Sequence, residues 1–339
     1  MSQHPLDQPH SGRLVIHNLV REEARASFAD EIRAGLSARP KHLYPKYFYD
    51  ALGSQLFEAI CLLPEYYLTR AENEILSRYA DAIVNEVSAE KVTLLEMGSG
   101  SASKTRLLIE ALLRRQGELL YIPVDISASA LETSSRVLLQ SYPALRIDAY
   151  ASDYYDALRA LKQEQRPGRT LALFLGSNIG NFDPEEAHTF LRALRGVLRE
   201  GDALLLGADL RKEARVLEDA YDDPLGVTSS FNLNQLVRIN RELGADFDLR
   251  AFRHRVIYNE AAGRVEVYIE SLREQTVSIR RLGMEIRFAE GERIHTENSH
   301  KYDLEGLSEL ATATGYARAR TWLDEREQFS SNLFVAAGG

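Results

Sequence analysis

Glu96, Gly98 and Gly100 lie in LLEMGSGSASKT (94–105), between an apolar run and a stretch with helical spacing, which makes them the residues of a strand-to-helix turn. Glycines at such a turn let the backbone approach a ligand closely. A bare Gly-x-Gly is a weak signal, and its weight here comes from Asp125, which ends the next apolar run, 25 residues after Gly100. A carboxylate in that place can accept both hydroxyls of a ribose. Asp153, with Tyr154 beside it, follows the third run, where a carboxylate can take an adenine amino group and a ring can stack on the base. The other account of Asp153 is a cap on the helix YYDALRAL.

Two cofactor classes share this geometry. Ser103 stands where the dinucleotide fingerprint wants its third glycine, and Glu96 just ahead of the turn suits the cationic methionine end of S-adenosylmethionine (SAM). Acids after three successive strands therefore favour a methyl donor, with nicotinamide oxidoreduction the weaker alternative.

The elements that must hold these residues follow from periodicity. VTLLEM (92–97), LLYIPVD (119–125), LRIDAY (145–150), TLALFLG (170–176) and ALLLGAD (203–209) read as strands, with helix patterns such as TRLLIEALLRR (105–115) and ALETSSRVLLQ (130–140) between them. Asp183, Pro184, Glu185 and Glu186 start a further helix, because proline suits the first turn and acids favour the positive end of the dipole. YARARTWLD (316–324) and FSSNLFVAAG (329–338) give an antiparallel edge on an otherwise parallel sheet. Between about 222 and 300 the rhythm breaks into FRHRVIYNE, GRVEVYIESL, TVSIRRL and MEIRFAE, which read as a β-meander. The expected fold class is α/β, a class I methyltransferase-type, Rossmann-like sheet with a second, smaller α+β lobe for the substrate. The expected division is a mobile tail at 1–13, a substrate lobe at 14–75 and 211–300, and a donor-binding core at 76–210 and 301–339.

Composition bounds the partners. The 339 residues are 45% hydrophobic, enough for a full core. With 50 acidic against 41 basic side chains the net charge is −9, which repels a phosphate backbone, so nucleic acid is not an expected partner. No run approaches the roughly 18 apolar residues of a membrane helix, and the polar start MSQHPLDQPHSGR is no signal peptide. A cytoplasmic protein with no membrane partner is expected. The lone Cys61 reads as a small core residue, and with no heptad or long apolar edge to specify an oligomeric state a monomer is the default expectation.

Five blocks in order, PKYFYDALGSQLFEAICLLPEYYLTRAE (45–72), EMGSGSASKT, FLGSNIGNFDP (174–184), AYDDPLGVTSSFN (220–232) and TENSHKY (296–302), closely resemble the histidine-specific Nα-methyltransferases of ergothioneine biosynthesis. The resemblance runs from about residue 24 to the end. It implies a two-domain class I methyltransferase that uses SAM and no metal, and that converts L-histidine in three methylations to its betaine, hercynine. It further implies donor contacts at Gly98, Gly100, Lys104, Asp125, Asp153 and Tyr154, with Lys104 at the donor's carboxylate. Substrate contacts would be Tyr66 and Asn181 at the α-amino group, which are also the catalytic positions, Tyr221 at the carboxylate, and Glu297 with Ser299 at the imidazole. Tyr49, Phe57 and Phe231 would line the same pocket, and Val267 lies where some relatives carry a larger side chain.

Glu297 and Ser299 are two apart, so on a strand they face one side. A carboxylate accepts from the N–H of a neutral imidazole, and a hydroxyl donates to its bare nitrogen. An indole or phenol would leave part of that pair unmet, at about 1–3 kcal/mol per buried group. Outside the resemblance, Glu297 as a solvated acid and Ser299 as a turn residue remain ordinary explanations. His295 and His300 complete no recognised metal spacing and read as ordinary polar residues. The alternatives are a tryptophan or tyrosine betaine synthase, which the small Val267 raises, and a SAM-binding sensor without catalysis.

Overall fold

The computed structural model describes residues 12–19, 23–87 and 89–338. Residues 1–11 of the expected tail lie outside the described residues. In chain order the strands are β1 (Leu14–Asn18), β2 (Lys41–His42), β3 (Val92–Met97), β4 (Leu119–Asp125), β5 (Leu145–Ala151), β6 (Arg169–Phe174), β7 (Ala203–Asp209), β8 (Phe252–Asn259), β9 (Arg264–Ser271), β10 (Gln275–Ile279), β11 (Met284–Phe288), β12 (Arg293–His300), β13 (Tyr316–Leu323) and β14 (Phe329–Ala336). The helices are α1 (Glu23–Ser37), α2 (Ala51–Ile60), α3 (Tyr67–Glu86), α4 (Thr105–Gln116), α5 (Ala128–Ser141), α6 (Tyr154–Leu161), α7 (Pro184–Arg195), α8 (Ala214–Tyr221), α9 (Val227–Leu243) and α10 (Leu304–Ala313).

Strands β3 and β7 are buried at every residue, the pattern of parallel strands covered on both faces. They belong to an eight-stranded sheet in the order β1-β5-β4-β3-β6-β7-β14-β13. Helices α3, α4 and α5 contribute to the apolar layer on one face, and α6, α7 and α10 to that on the other. All neighbours pair in parallel except β14, which runs antiparallel to both β7 and β13, as the sequence predicts. From β3 the chain steps outward through β4 and β5, then returns to β6 and β7 on the other side. That reversal opens a crevice at the carboxyl ends of β3 and β6, where sheets of this kind bind ligands. Helix α7 begins where Asp183 and Pro184 predict, with a capping box between Asp183 and Glu186.

Three expectations change. β1 pairs with β5 in the main sheet, so Leu14–Asn18 belongs there and not to the substrate lobe. β6 stops at Phe174 because Gly176 and Ser177 both take left-handed backbone, φ +73° and +59°, which no strand can continue. The meander is not continuous. β8 and β9 form a hairpin in a four-stranded sheet ordered β2-β12-β9-β8, whereas β10 and β11 make a separate ribbon. Helices α1 and α9 close over these strands around Ile32, Leu36, Leu236 and Ile239.

Backbone hydrogen bonds stitch the second sheet to the first at residues 209–211 and 302. Tyr302 N–H donates to the Asp209 carbonyl at 2.9 Å, and Arg211 N–H donates to the Tyr302 carbonyl at 2.9 Å. The chain leaving β12 is thereby joined to the carboxyl end of β7, beside the crevice.

Candidate active site

The glycine turn is built for close approach. Gly98 has φ +77°, and a Cβ placed on it would stand 2.8 Å from the Tyr154 hydroxyl and 3.3 Å from Asn178 Nδ2. Gly100, φ +50°, donates its N–H to Asp125 Oδ2 at 2.8 Å, while Ser127 N–H donates to Oδ1 at 2.9 Å. Burial raises the Asp125 pKa, opposed by those backbone donors. Tyr154 sits edge-on to Phe174, ring centroids 5.6 Å apart. Asp153 caps α6 through Asp156 N–H at 2.9 Å, using one oxygen. Both accounts of that residue are therefore open to it, one oxygen each.

Glu96 does not face a ligand as the sequence suggests. It is 3% exposed, accepts from Thr105 Oγ1 at 2.7 Å and from the Tyr121 hydroxyl, and braces the turn from beneath. Burial pushes its pKa up to about 7 against those two donors. Lys104 is paired with the fully buried Glu72 of α3, a residue that sequence reasoning missed. Both Glu72 oxygens also take the Gly176 N–H at 2.9 Å, and β7 passes so close that a Cβ on Gly207 would lie 2.2 Å from Glu72 Oε1. The available signal was an acid set among Leu68, Ala71, Ile75 and Leu76, the apolar face of α3.

On the lobe side the expected aromatic residues form a connected wall. Ring centroids lie 5.6 Å apart for Tyr49–Phe57, 5.7 Å for Tyr49–Phe231, 6.2 Å for Phe57–Tyr66 and 6.2 Å for Tyr66–Tyr221. Burial pushes the phenols of Tyr49 and Tyr66 well above their ordinary range, so neither serves as a base at neutral pH. Val267 pairs directly across from Glu297, with a register shift in β12 between His295 and Glu297. Enclosure raises the Glu297 pKa to about 7, with Lys301 pulling the other way. Glu297, Tyr154 and Asp125 all stand close enough to Tyr49 to push its phenol up.

Ser299 and Tyr221, assigned to different ends of the substrate, are joined by a 2.7 Å hydrogen bond between their hydroxyls. Beneath them lies a buried polar network absent from the sequence reading. Lys301 Nζ donates to Tyr221 Oη at 3.0 Å and Ser299 Oγ at 2.9 Å, and pairs with Asp209 at 2.8 Å. Asp209 also takes the Tyr67 hydroxyl at 2.8 Å and the Lys212 ammonium at 2.6 Å. Burial lowers the Lys212 pKa to about 8 despite Asp209. The signals were an acid closing the run ALLLGAD and a lysine inside TENSHKY.

Asn181 lies between β6 and α7. It ends the short 3-10 turn Asn178–Asn181 and lines a cleft of about 1220 Å³, together with Lys41, Asp183, Arg264 and Asn298. None of the other assigned substrate residues lines that cleft. Asn178, at the start of the turn, is the residue that faces Gly98, and sequence reasoning did not single it out. His295 bonds to Asn298 at 2.8 Å and His300 to Asp183 at 3.4 Å. Among the described residues the group able to surround a metal is His17, Asp148 and Glu164, which lies around the β1–β5 edge and not in this site. Cys61 is a half-buried free thiol, its pKa raised by burial.

Comparison with known proteins adds the following. A family model described as histidine-specific methyltransferase, SAM-dependent, matches residues 28–336. Histidine N-alpha-methyltransferase of Mycobacterium tuberculosis is 41% identical over 319 residues, covering 94% of this chain and 98% of that protein. Histidine N-alpha-methyltransferase of Mycolicibacterium smegmatis is 42% identical over 320 residues, covering 94% and 97%. Ergothioneine biosynthesis protein 1 of Schizosaccharomyces pombe is 31% identical over 236 residues, 68% of this chain and 30% of that protein.

Proposed function

Because the chain belongs to the SAM-dependent, histidine-specific methyltransferase family, we propose that it trimethylates the α-amino group of L-histidine to hercynine, the first step of ergothioneine biosynthesis. The observation that carries the reading is that Tyr221 and Ser299 of the lobe are tied through Lys301 to Asp209 at the carboxyl end of β7, beside the crevice whose glycine turn is bonded to Asp125.

SAM, when bound, supplies an electrophilic methyl group on a sulfonium. The residues fit such a donor. Gly98 leaves the gap that any Cβ would fill, and Asp125 has lone pairs left for ribose hydroxyls. Asp153 and Tyr154 would hold the adenine. Lys104 gives one proton to Glu72 and keeps two for the donor's carboxylate.

The chain's other task is to present an uncharged amine in line with the methyl carbon, which is mainly positioning. Tyr66 and Asn181 would hold the nitrogen through hydrogen bonds. Tyr66 stays a phenol, so it orients the amine and does not deprotonate it. A nearby sulfonium itself favours the neutral amine. Glu297, as carboxylate, would accept from the ring N–H, while Ser299 and Tyr221 would serve the bare ring nitrogen and the substrate carboxylate. Their adjacency suits a histidine folded so that those two acceptors lie side by side. Tyr49, Phe57, Phe231 and Val267 would shape the slot around the ring.

The proposal includes two lobes, with Leu14–Asn18 in the core, in a cytoplasmic monomer acting on small molecules. The net charge of −9 supports the absence of a nucleic-acid partner. No helix among the described residues is long and apolar enough to cross a membrane.

The test is to incubate the purified protein with SAM and each common amino acid and follow product masses. Histidine gaining one, two and three methyl groups is expected. Turnover confined to tryptophan or tyrosine would replace the substrate assignment, and donor binding without any product would make the protein a sensor.

A further inference from the structure

Lys301 has three protons, and all three are committed: to Asp209, Tyr221 and Ser299. The two hydroxyls are also bonded to each other at 2.7 Å. Whichever hydroxyl donates in that bond, its partner oxygen accepts from both the hydroxyl and the lysine, and its lone pairs are filled. That partner's own proton is then the one left over. The trio consequently offers the pocket one O–H from an oxygen whose lone pairs are filled, while the donating hydroxyl keeps a single open lone pair. If a ligand breaks the hydroxyl–hydroxyl bond, a second O–H is released, and each oxygen still carries the lysine's proton.

From this arrangement we infer that Lys301 is a positioning residue that, by occupying one lone pair on each of Ser299 and Tyr221, biases both hydroxyls toward donating to the substrate, so that the site favours guests presenting acceptors there. The inference rests on the histidine reading above and deepens it. A substrate carboxylate and a bare ring nitrogen are such acceptors. A ring N–H in the same place would meet another proton. The neutral imidazole is thus held in one tautomer, its N–H turned to Glu297 and its lone pair to the hydroxyls. Asp209 supplies the counter-charge that lets an ammonium remain buried, and burial is outweighed there, so Lys301 keeps its proton throughout the working range.

The test compares L-histidine with β-(2-thienyl)-L-alanine, a five-membered ring of similar size with neither a nitrogen acceptor nor an N–H. Two full-length variants are used: Lys301→Met, in which Asp209 keeps the Lys212 ammonium as its cation, and Lys301→Met/Asp209→Asn, in which the buried pair is replaced by neutral groups. Binding of S-adenosylhomocysteine by calorimetry reports that each variant is folded. The expected result is a histidine kcat/KM lower on the order of 10- to 100-fold, carried mainly by KM. Turnover of the thienyl analogue should change far less, and the affinity for S-adenosylhomocysteine should hold within about threefold. An unchanged preference between the two substrates, in a protein that methylates histidine, overturns the inference alone. Loss of S-adenosylhomocysteine binding in both variants makes Lys301 structural and also overturns it. Failure of the unsubstituted protein to methylate histidine overturns the reading on which it stands, and the inference with it.

Discussion

A carboxyl group that titrates near neutrality can act only in one of its two forms at a given pH, and Glu297 is such a group. With its pKa at about 7, the carboxylate that accepts from a ring N–H is the minority species at pH 6 and the majority at pH 8. The kcat/KM for histidine is therefore expected to rise as pH passes upward through about 7. In Glu297→Gln that limb should vanish, with kcat/KM lower on the order of 10- to 100-fold and S-adenosylhomocysteine affinity unchanged. A pH–rate series on both proteins decides it, and a limb that survives in the glutamine variant belongs to some other group. Asp125 was readable because it closes a recognisable run, whereas Glu297 and Ser299 were singled out only through the resemblance carried by TENSHKY, since a solvated acid and a turn residue would have the same spacing. Glu72 and Lys301 were not readable, because what defines them is a buried partner on a remote strand or helix, Lys104 in one case and Asp209 in the other. A charged residue in a sequence carries no mark of the partner that will neutralise it.

Among the elements, the turn after β3 differs from the turn before α9 in what surrounds it. Gly98 and Gly226 both adopt left-handed backbone, at φ +77° and +75°, yet a Cβ on Gly98 would strike Tyr154 and one on Gly226 would meet open space. Gly226→Ala is expected to cost stability of about 1–2 kcal/mol through its backbone and to leave donor binding intact. Gly98→Ala should pay a similar backbone cost and in addition lose at least about tenfold in S-adenosylhomocysteine affinity. Thermal melts and calorimetry on the pair separate the two effects, and equal donor affinity in both would show that the turn is not the donor's seat. The parallel strands and the start of α7 were readable because buried runs and caps are local signals. β1 was not, being only five residues, none of them fully buried. The pairing of β12 between β2 and β9 depends on contacts that no local pattern encodes.

At the scale of the molecule, the two sheets share one interior. Leu94, Leu173 and Leu205 of the large sheet belong to the same apolar cluster as Phe48, Tyr66, Tyr221, Phe231 and Val267 of the pocket. A single cooperative melt is expected, and S-adenosylhomocysteine at a hundredfold its Kd should add about 2.7 kcal/mol and shift the whole transition by roughly 4 °C. Two transitions, of which the ligand moves only one, would show the lobes to be independent. The seam at Asp209 and Tyr302 bears on redesign as well. Anyone transplanting β8 to β12 from a relative to change the accepted amino acid would need to bring residues 209, 301 and 302 along, since a graft cut at residue 300 would carry the new side chains and leave their electrostatic anchor behind.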